Sequence, residues 1–365
     1  MRKLLFVPLL GLTAVNLHAR SLRLPMLRPF SSAPRSAPLT VPSLTPTLSL
    51  GIPIPSLDAS PAFNAADTSG ARTGVRSAER AVKRARSEIQ KFNDRWRTRK
   101  HLDRLERSPR AQNETFRFAV IGDAEPGRFW FQRLFFGQKG VFTRHMKRVR
   151  DRPVDFTIQL GDMVSRAKAR NFRAFFNQIR AAGYEKPFLT VAGNHDRHAP
   201  HGKTNAVMYN AIFGRRNYWF DRGGARFIIL DTSDARLTAR QIAWLDRILA
   251  TDKKTLIFTH MAPITPRTLA ATHSLLKHGG FSNGAQAFLD VLRSRGADRV
   301  YFGHIHGFGS LTIDGTRFVL SGGGGSPLYP SPWIERTYHF LEVSVGPDGI
   351  QDNVYPLDAP PFPID

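Results

Sequence analysis

Cysteine is absent from all 365 residues. The chain therefore has no disulfide staple, no thiolate nucleophile and no sulfur ligand for a metal, and its stability must come from a packed core. The absence suits export but is equally ordinary in the cytosol, so it fixes no compartment. Acidic side chains are also scarce, with 29 Asp and Glu against 53 Lys and Arg and a formal net charge of +24. Such an excess suits a polyanionic partner, because clustered Lys and Arg release counterions from phosphates. It does not choose between nucleic acid and an anionic membrane surface. No internal repeat is visible.

The first hundred or so residues do not read as a domain. Residues 1–19 open with Arg2-Lys3, run through an apolar stretch from Leu4 to Leu12 and reach a small residue at Ala19, the layout of a secretory signal peptide. The expected location is therefore periplasmic or secreted. Leu17 stands where cleavage prefers a small residue, which leaves a retained N-terminal membrane anchor as the alternative, although the stretch is short for a bilayer. Residues 20–70 are dominated by Pro, Ser, Leu, Thr and Ala and read as an extended linker, since repeated prolines remove backbone donors. Residues 71–110 are strongly basic, and Val75, Ala78, Val82, Ala85, Ile89, Phe92 and Trp96 recur at spacings of three and four. That spacing predicts an amphipathic helix with one apolar stripe. Three partners suit it: the rest of the chain, with the basic face in water; anionic lipid, with Phe92 and Trp96 among headgroups; or nucleic acid. Residues 111–365 are enough for a single large core.

Within that last region, residues 116–121, 155–160, 188–191, 255–258 and 299–302 are apolar runs that read as buried strands. Each is followed by one of the fragments Gly122-Asp123-Ala124-Glu125, Gly161-Asp162, Gly193-Asn194-His195-Asp196, His260 and Gly303-His304-Ile305-His306. Alone, Gly161-Asp162 is what an ordinary turn looks like. Together the fragments fit a two-metal hydrolase. Two divalent cations about 3.5–4 Å apart can share a hydroxide and polarise a phosphoryl oxygen, which calls for a bridging carboxylate, several imidazoles and neutral oxygens. Ligands of open α/β sheets bind beyond the carboxyl ends of the strands, so these strand ends can serve one crevice. His304 and His306 alternate on an extended segment and so point the same way.

In their order and spacing these residues resemble the calcineurin-like metallophosphoesterases, over roughly residues 116–320. The resemblance implies an α/β fold, a two-sheet β-sandwich flanked by helices, and two divalent metal ions among Mn, Fe, Zn and Mg. It implies Asp123 and His306 as ligands of the first ion, Asp162 as the bridge, and Asn194, His260 and His304 as ligands of the second. His195 is similar to the family's substrate-facing histidine, and Asp196 follows as an orienting partner for its imidazole. The implied activity is hydrolysis of a phosphomonoester or phosphodiester by a hydroxide shared between the ions. Members of the family cleave such varied phosphate esters that fold and metal site name no substrate.

One position departs from the pattern. Most members carry a histidine two residues after the first aspartate, where this chain has Glu125. A harder, anionic ligand favours Mn, Mg or Fe over Zn without settling identity. Glu125 is read as a ligand or as the holder of a metal-bound water, the alternative being a lost first site. A lost site would make the chain a catalytically weak protein that binds membrane or nucleic acid through its basic arm.

Other features carry less. His198 and His201 read as solvated loop residues, with lining of the cleft as the alternative, and His273 and His278, in the long segment 262–284, as mobile surface residues, with substrate contacts as the alternative. Arg128, Phe129, Trp130 and Phe131 suit an aromatic or lipid group, or simple packing. Residues 129–150 read as helical after a broken start at Gly137 and Gly140, and residues 171–182 as a helix with Phe172, Phe175, Phe176 and Ile179 on its core face. Residues 238–250 read as a helix capped by Thr238 with Gln241. Hairpins are expected around Asp221 to Gly224 and at Asp314-Gly315. The run Gly322 to Gly325 lacks a Walker lysine pattern and reads as a flexible loop.

Overall fold

The computed structural model describes residues 94–125, 140–197 and 206–364. The expected signal peptide, the linker, residues 71–93 of the basic segment, Arg128 to Phe131, His198 and His201 lie outside the described residues.

In chain order the elements are α1 (Thr98–Glu106), β1 (Phe116–Ile121), α2 (Val141–Arg150), β2 (Thr157–Gln159), α3 (Ala169–Ala181), β3 (Phe188–Thr190) and α4 (Val207–Ile212). The hairpin β4 (Tyr218–Arg222) and β5 (Ala225–Ile229) follows, then α5 (Ala239–Leu249), β6 (Lys254–Phe258), β7 (Ala262–Pro263), α6 (Pro266–Ala271) and β8 (Gly280–Phe281). The chain continues through α7 (Ala285–Arg295), β9 (Arg299–Phe302), β10 (Phe308–Ile313), β11 (Thr316–Ser321), β12 (His339–Gly346), β13 (Gly349–Pro356) and β14 (Phe362–Pro363).

Two six-stranded sheets result, ordered β14-β13-β12-β1-β2-β3 and β10-β11-β9-β6-β5-β4. In the first, β1, β2 and β3 are mutually parallel; in the second, β5, β6, β9 and β11 are. The period-two alternation of side chains explains how they stack. On β1, Phe116, Phe118 and Val120 enter the core shared by the sheets, where they meet Phe227, Phe258 and Val319, while Ala119 and Ile121 face a second core under α2 and α3. On β6, Leu256 and Phe258 point to the shared core and Ile257 to a third, under α5 and α7. The inter-sheet contact is largely aromatic: Phe118 meets Phe227 edge-on at 5.1 Å and Phe258 edge-on at 6.0 Å, geometries that ring quadrupoles favour. The architecture is thus the expected two-sheet sandwich between helical layers.

Local signals act as their chemistry requires. Thr238 Oγ1 accepts from the Gln241 backbone N–H and Gln241 Oε1 from the Thr238 N–H, closing a capping box on α5. Asp314 and Gly315 both take the left-handed backbone, at φ 50° and 81°, that a two-residue hairpin turn needs. Phe172, Phe175, Phe176 and Ile179 of α3 are buried in the core.

Three expectations need correction. Within the described part of the basic segment there is no continuous helix: a single 3-10 turn (Asp94–Trp96) is followed by Arg97 in extended conformation, and α1 ends at Glu106. The cause is packing, since the Thr98 N–H donates to the Phe213 carbonyl at 2.9 Å and Trp96 stacks on Phe176 at 4.1 Å. Trp96 is therefore in the core and not available to a headgroup layer. Residues 262–284 are not a plain loop, because β7 and β8 pair in parallel around α6. Gly322 to Gly325 is no flexible loop either. The run is buried, and a Cβ on Gly324 would stand 1.7 Å from the Gly122 carbonyl oxygen. Only glycine admits such an approach. No helix among the described residues is long and apolar enough to cross a membrane.

Candidate metal centre

Parallel strands deliver their carboxyl ends to one edge of the sandwich. Asp123 follows β1, Asp162 follows β2, Asn194 to Asp196 follow β3, His260 follows β6, and His304 and His306 follow β9. Backbone hydrogen bonds lock these loops together: Ala124 and Glu125 donate to the Asp162 carbonyl, Gly303 to that of His260, and Ser326 to that of Asp123. Asp123, Asp162 and His304 each have positive φ, at 27°, 52° and 68°. Such backbone costs about 1–3 kcal/mol per residue in non-glycine positions and persists where surrounding structure enforces it, often at functional sites.

The arrangement centres on His260. Its Nδ1–H donates to the Leu160 carbonyl at 2.8 Å, so Nε2 is left to face the site. Around that nitrogen stand Asn194 Oδ1 at 2.9 Å, His304 Nδ1 at 3.1 Å and Asp162 Oδ2 at 3.4 Å. The backbone N–H groups of His260 and Met261 both donate to Thr232 Oγ1, which holds the histidine's own backbone in place. His306 is fixed likewise, its Nδ1 donating to the Pro327 carbonyl at 2.8 Å and its Nε2 lying 3.7 Å from Asp123 Oδ1. Asp123 also accepts the His304 N–H at 2.9 Å, and Asp162 Oδ1 accepts that of His195 at 2.9 Å.

Electrostatics make the cluster costly without a cation. Burial pushes the Asp123 carboxyl well above the usual carboxylate range, and Asp162 and Glu125 push the same way against the pull of His260. Burial also opposes ionisation of Asp162, but the charges of His260 and His195 outweigh it and hold that carboxyl below its ordinary range. His260 is raised to about 9, because Asp162 and Asp123 overcome its burial. Burial and the charge of His260 lower His304 to about 3, leaving a neutral imidazole with a lone pair. Burial lowers His306 as well. His260 Nε2 is thus surrounded by a carboxylate oxygen, an amide oxygen and an imidazole nitrogen. The donor set fits a divalent ion of the Zn, Fe or Mn kind, with ring tautomers already fixed by carbonyls. Among the described residues, Asp162, His260 and His304 form a set of three whose ligand atoms all lie within 4.8 Å of one another.

Glu125 is buried, and its Oε2 lies 3.2 Å from His195 Nδ1. The imidazole is raised to about 10, since Asp162 and Glu125 together outweigh its burial. This replaces the expected role of Asp196. That carboxylate accepts instead from the backbone N–H groups of Met163, Val164 and Gly193, because it lies beneath the loops it ties together. Burial, with Asp162 nearby, raises it to about 7.

Sequence reasoning passed over Gln159, whose amide clamps the Gly161 turn at both ends, at 2.6 Å to the carbonyl and 2.8 Å from the N–H. A polar residue inside an otherwise apolar strand was the available signal. It also passed over Tyr329 and Trp333 beyond the glycine run. His273 meets Trp333, whereas nothing is described for the His278 side chain.

The profile of the calcineurin-like phosphoesterase family matches residues 116–308, and the chain belongs to that family. A nucleotide pyrophosphatase/phosphodiesterase from Hordeum vulgare is 26% identical over 219 residues, which cover 48% of this chain and 58% of that protein. The chain thus matches little more than half the length of that relative. The purple acid phosphatase PPD1 of yellow lupin, Lupinus luteus, shares the fold at a TM-score of 0.55 and 18% identity, over 69% of this chain and 53% of that one. A dimetal phosphatase from Danio rerio aligns with 68% of this chain and 98% of its own, at a TM-score of 0.49 and 16% identity.

Proposed function

We propose that the chain hydrolyses a phosphomonoester or phosphodiester with the help of two divalent cations. The observation that carries this reading is the convergence of Asn194, His304 and Asp162 on His260 Nε2 within 3.4 Å. Asn194, His260 and His304 would hold one cation, Asp123 and His306 the other, with Asp162 between them and Glu125 alongside. When bound, the cations supply Lewis-acid polarisation of a phosphoryl oxygen and bring the pKa of water toward neutrality.

The remaining work falls to the chain's own side chains. Glu125 at its Nδ1 leaves the Nε2 of His195 for substrate, and in the protonated ring that nitrogen carries a transferable proton. As the P–O bond breaks, its electron pair goes to the leaving oxygen and that oxygen takes the His195 proton, which spares the departure of a naked alkoxide. Glu125 steadies the imidazolium and sets its angle. Asp196 holds the loop carrying Asn194 and His195 against the loop carrying Asp162, so donor atoms from two strands keep their spacing. The barley relative, a nucleotide pyrophosphatase/phosphodiesterase by name, supports a phosphate ester or anhydride as substrate class.

The test is hydrolysis of matched chromogenic phosphomonoesters and phosphodiesters by protein stripped of metal and reloaded with Mn, Fe, Zn or Mg. Metal-dependent turnover that disappears in Asp162→Ala is the expected result. Absence of turnover with every metal, or full activity in Asp162→Ala, would overturn the reading.

A further inference from the structure

Two aromatic side chains beside the centre are left exposed, although neither belongs to a strand or helix. Tyr329 is 37% exposed and Trp333 56%; among the described residues Trp219 is also exposed, at 41%, but it lies on β4. Both lie on the segment between β11 and β12, which is anchored at each end. The Tyr329 N–H donates to the His306 carbonyl at 2.8 Å, and Glu335 exchanges two backbone hydrogen bonds with Phe308. The Tyr329 ring stands edge-on to the His306 imidazole, with centroids 5.8 Å apart.

A second segment approaches from the other side. Gly279 packs so closely on the neighbouring ligand that a Cβ there would stand 2.8 Å from His304 Cδ2. Six residues earlier, His273 and Ser274 adopt left-handed backbone, at φ 49° and 64°, and so hold the His273 ring in a strained turn. That ring stacks on Trp333 at 3.9 Å, with 15° between planes. The segments that flank His304 and His306 therefore meet in one aromatic stack. One face of the Trp333 indole is covered by His273, and the exposure of the residue leaves the other available.

We infer that Trp333, propped by His273 and continued by Tyr329 toward His306, is a stacking platform for a planar leaving group of the ester, a nucleobase or a comparable aryl ring. The inference rests on the phosphoesterase reading and narrows its substrate class. An indole left 56% exposed contributes little to packing and is suited to presenting a π-face to a planar group. Any base can stack, so the platform would select for planarity without reading base identity.

The test compares nucleoside, phenyl and glycerol esters of one phosphoryl group in the metal-loaded protein and in Trp333→Ala and Trp333→Phe. Stacking of a base on an aromatic side chain predicts a fall of about five- to hundredfold in the kcat/KM ratio of the nucleoside ester to the glycerol ester in Trp333→Ala, carried by KM, with most of it restored in Trp333→Phe. A parallel fall for the phenyl ester assigns the platform to planar groups at large, and its absence assigns it to nucleobases. An unchanged ratio in Trp333→Ala would overturn the inference. If wild type cleaves none of the esters, the phosphoesterase reading fails by itself, and quenching of tryptophan fluorescence by adenosine monophosphate decides the platform. Quenching in wild type that is lost in Trp333→Ala sustains it, and equal quenching in both refutes it.

Discussion

Glu125 Oε2 lies 3.2 Å from His195 Nδ1, and this pair places the chain's unusual carboxylate against the imidazole proposed as proton donor. Where a histidine in that position would be a neutral ligand, the proposed first cation would meet an anion that also raises the basicity of its neighbour. Glu125→Gln keeps the shape and removes the charge. The expected outcome is a drop of about tenfold in kcat for esters with alkyl leaving groups and a smaller one for nitrophenyl esters, whose oxygen leaves without a proton. His195→Ala should cost about 10²–10⁴ on the same alkyl esters. In the double variant the losses should be less than multiplicative, because part of the effect of Glu125 passes through the imidazole. Steady-state kinetics on the two ester types check all three.

Asp162 is the carboxylate whose loss should be felt at both cation positions, since it faces His260 at 3.4 Å and holds the His195 backbone at 2.9 Å. Asp162→Asn preserves the fold-stabilising contacts while removing the charge. Metal content after dialysis should fall, with turnover reduced by more than about a hundredfold, beyond the loss typical of a supporting partner of a ligand. Thermal unfolding gives a second readout. A cation at a hundred times its Kd stabilises wild type by about 2.7 kcal/mol, a rise of roughly 5–10 °C in Tm for a domain of this size. The variant should show a much smaller rise.

Much of this centre was legible in the sequence because its parts obey strand logic. Asp123, Asp162, Asn194, His260, His304 and His306 each stand within a few residues of the end of an apolar run, and parallel strands bring such ends to one edge. The α5 capping box and the Asp314-Gly315 turn were legible for the same reason, being decided by neighbours in the chain. What escaped depends on contacts distant in sequence. The choice of Glu125 over Asp196 as partner of His195 is set by how the loops after β1 and β3 approach each other, a separation of 70 residues. The glycine run looked loose because its neighbours, the Gly122 and Ile305 carbonyls, come from other strands. Trp96 was legible as part of an apolar stripe, but its partner Phe176 is 80 residues away, and nothing local distinguished a core from a lipid surface.

Trp96 also yields a prediction about the limits of the fold. It precedes the region matched by the family profile, yet it stacks on Phe176 at 4.1 Å and meets Phe188 of β3 edge-on at 6.3 Å. The residue helps α1 cover β3, an edge strand of its sheet, with His101 Nδ1 accepting the Phe188 N–H at 3.3 Å. Removing a buried indole costs about 3–5 kcal/mol. Trp96→Ala should therefore lower the unfolding free energy by that amount, seen as a lower urea midpoint at an unchanged m value. A protein truncated before Phe116 should be destabilised further and more prone to associate through the uncovered edge, as measured by light scattering.

Buried histidines away from the centre set the response of the fold to acid. Burial, aided by Arg104 and Arg95, lowers His101 to about 4; burial and His339 lower His145 to about 3; burial lowers His339 to about 4. In the unfolded chain these rings titrate near 6.5, so between about pH 6.5 and 4 the unfolded state binds more protons than the folded one. Stability then rises with pH across that window, is fully present above 6.5, and is lost as pH falls toward the folded values. Each histidine contributes up to about 1.4 kcal/mol per pH unit once pH is well below 6.5, so the three together predict a loss of roughly 5 kcal/mol between pH 6.5 and 5. Urea unfolding of metal-free protein at the two pH values measures it. Replacing His145 by Gln should remove about a third of the slope, and a slope unchanged by that substitution would show that the ring is already protonated in the native fold.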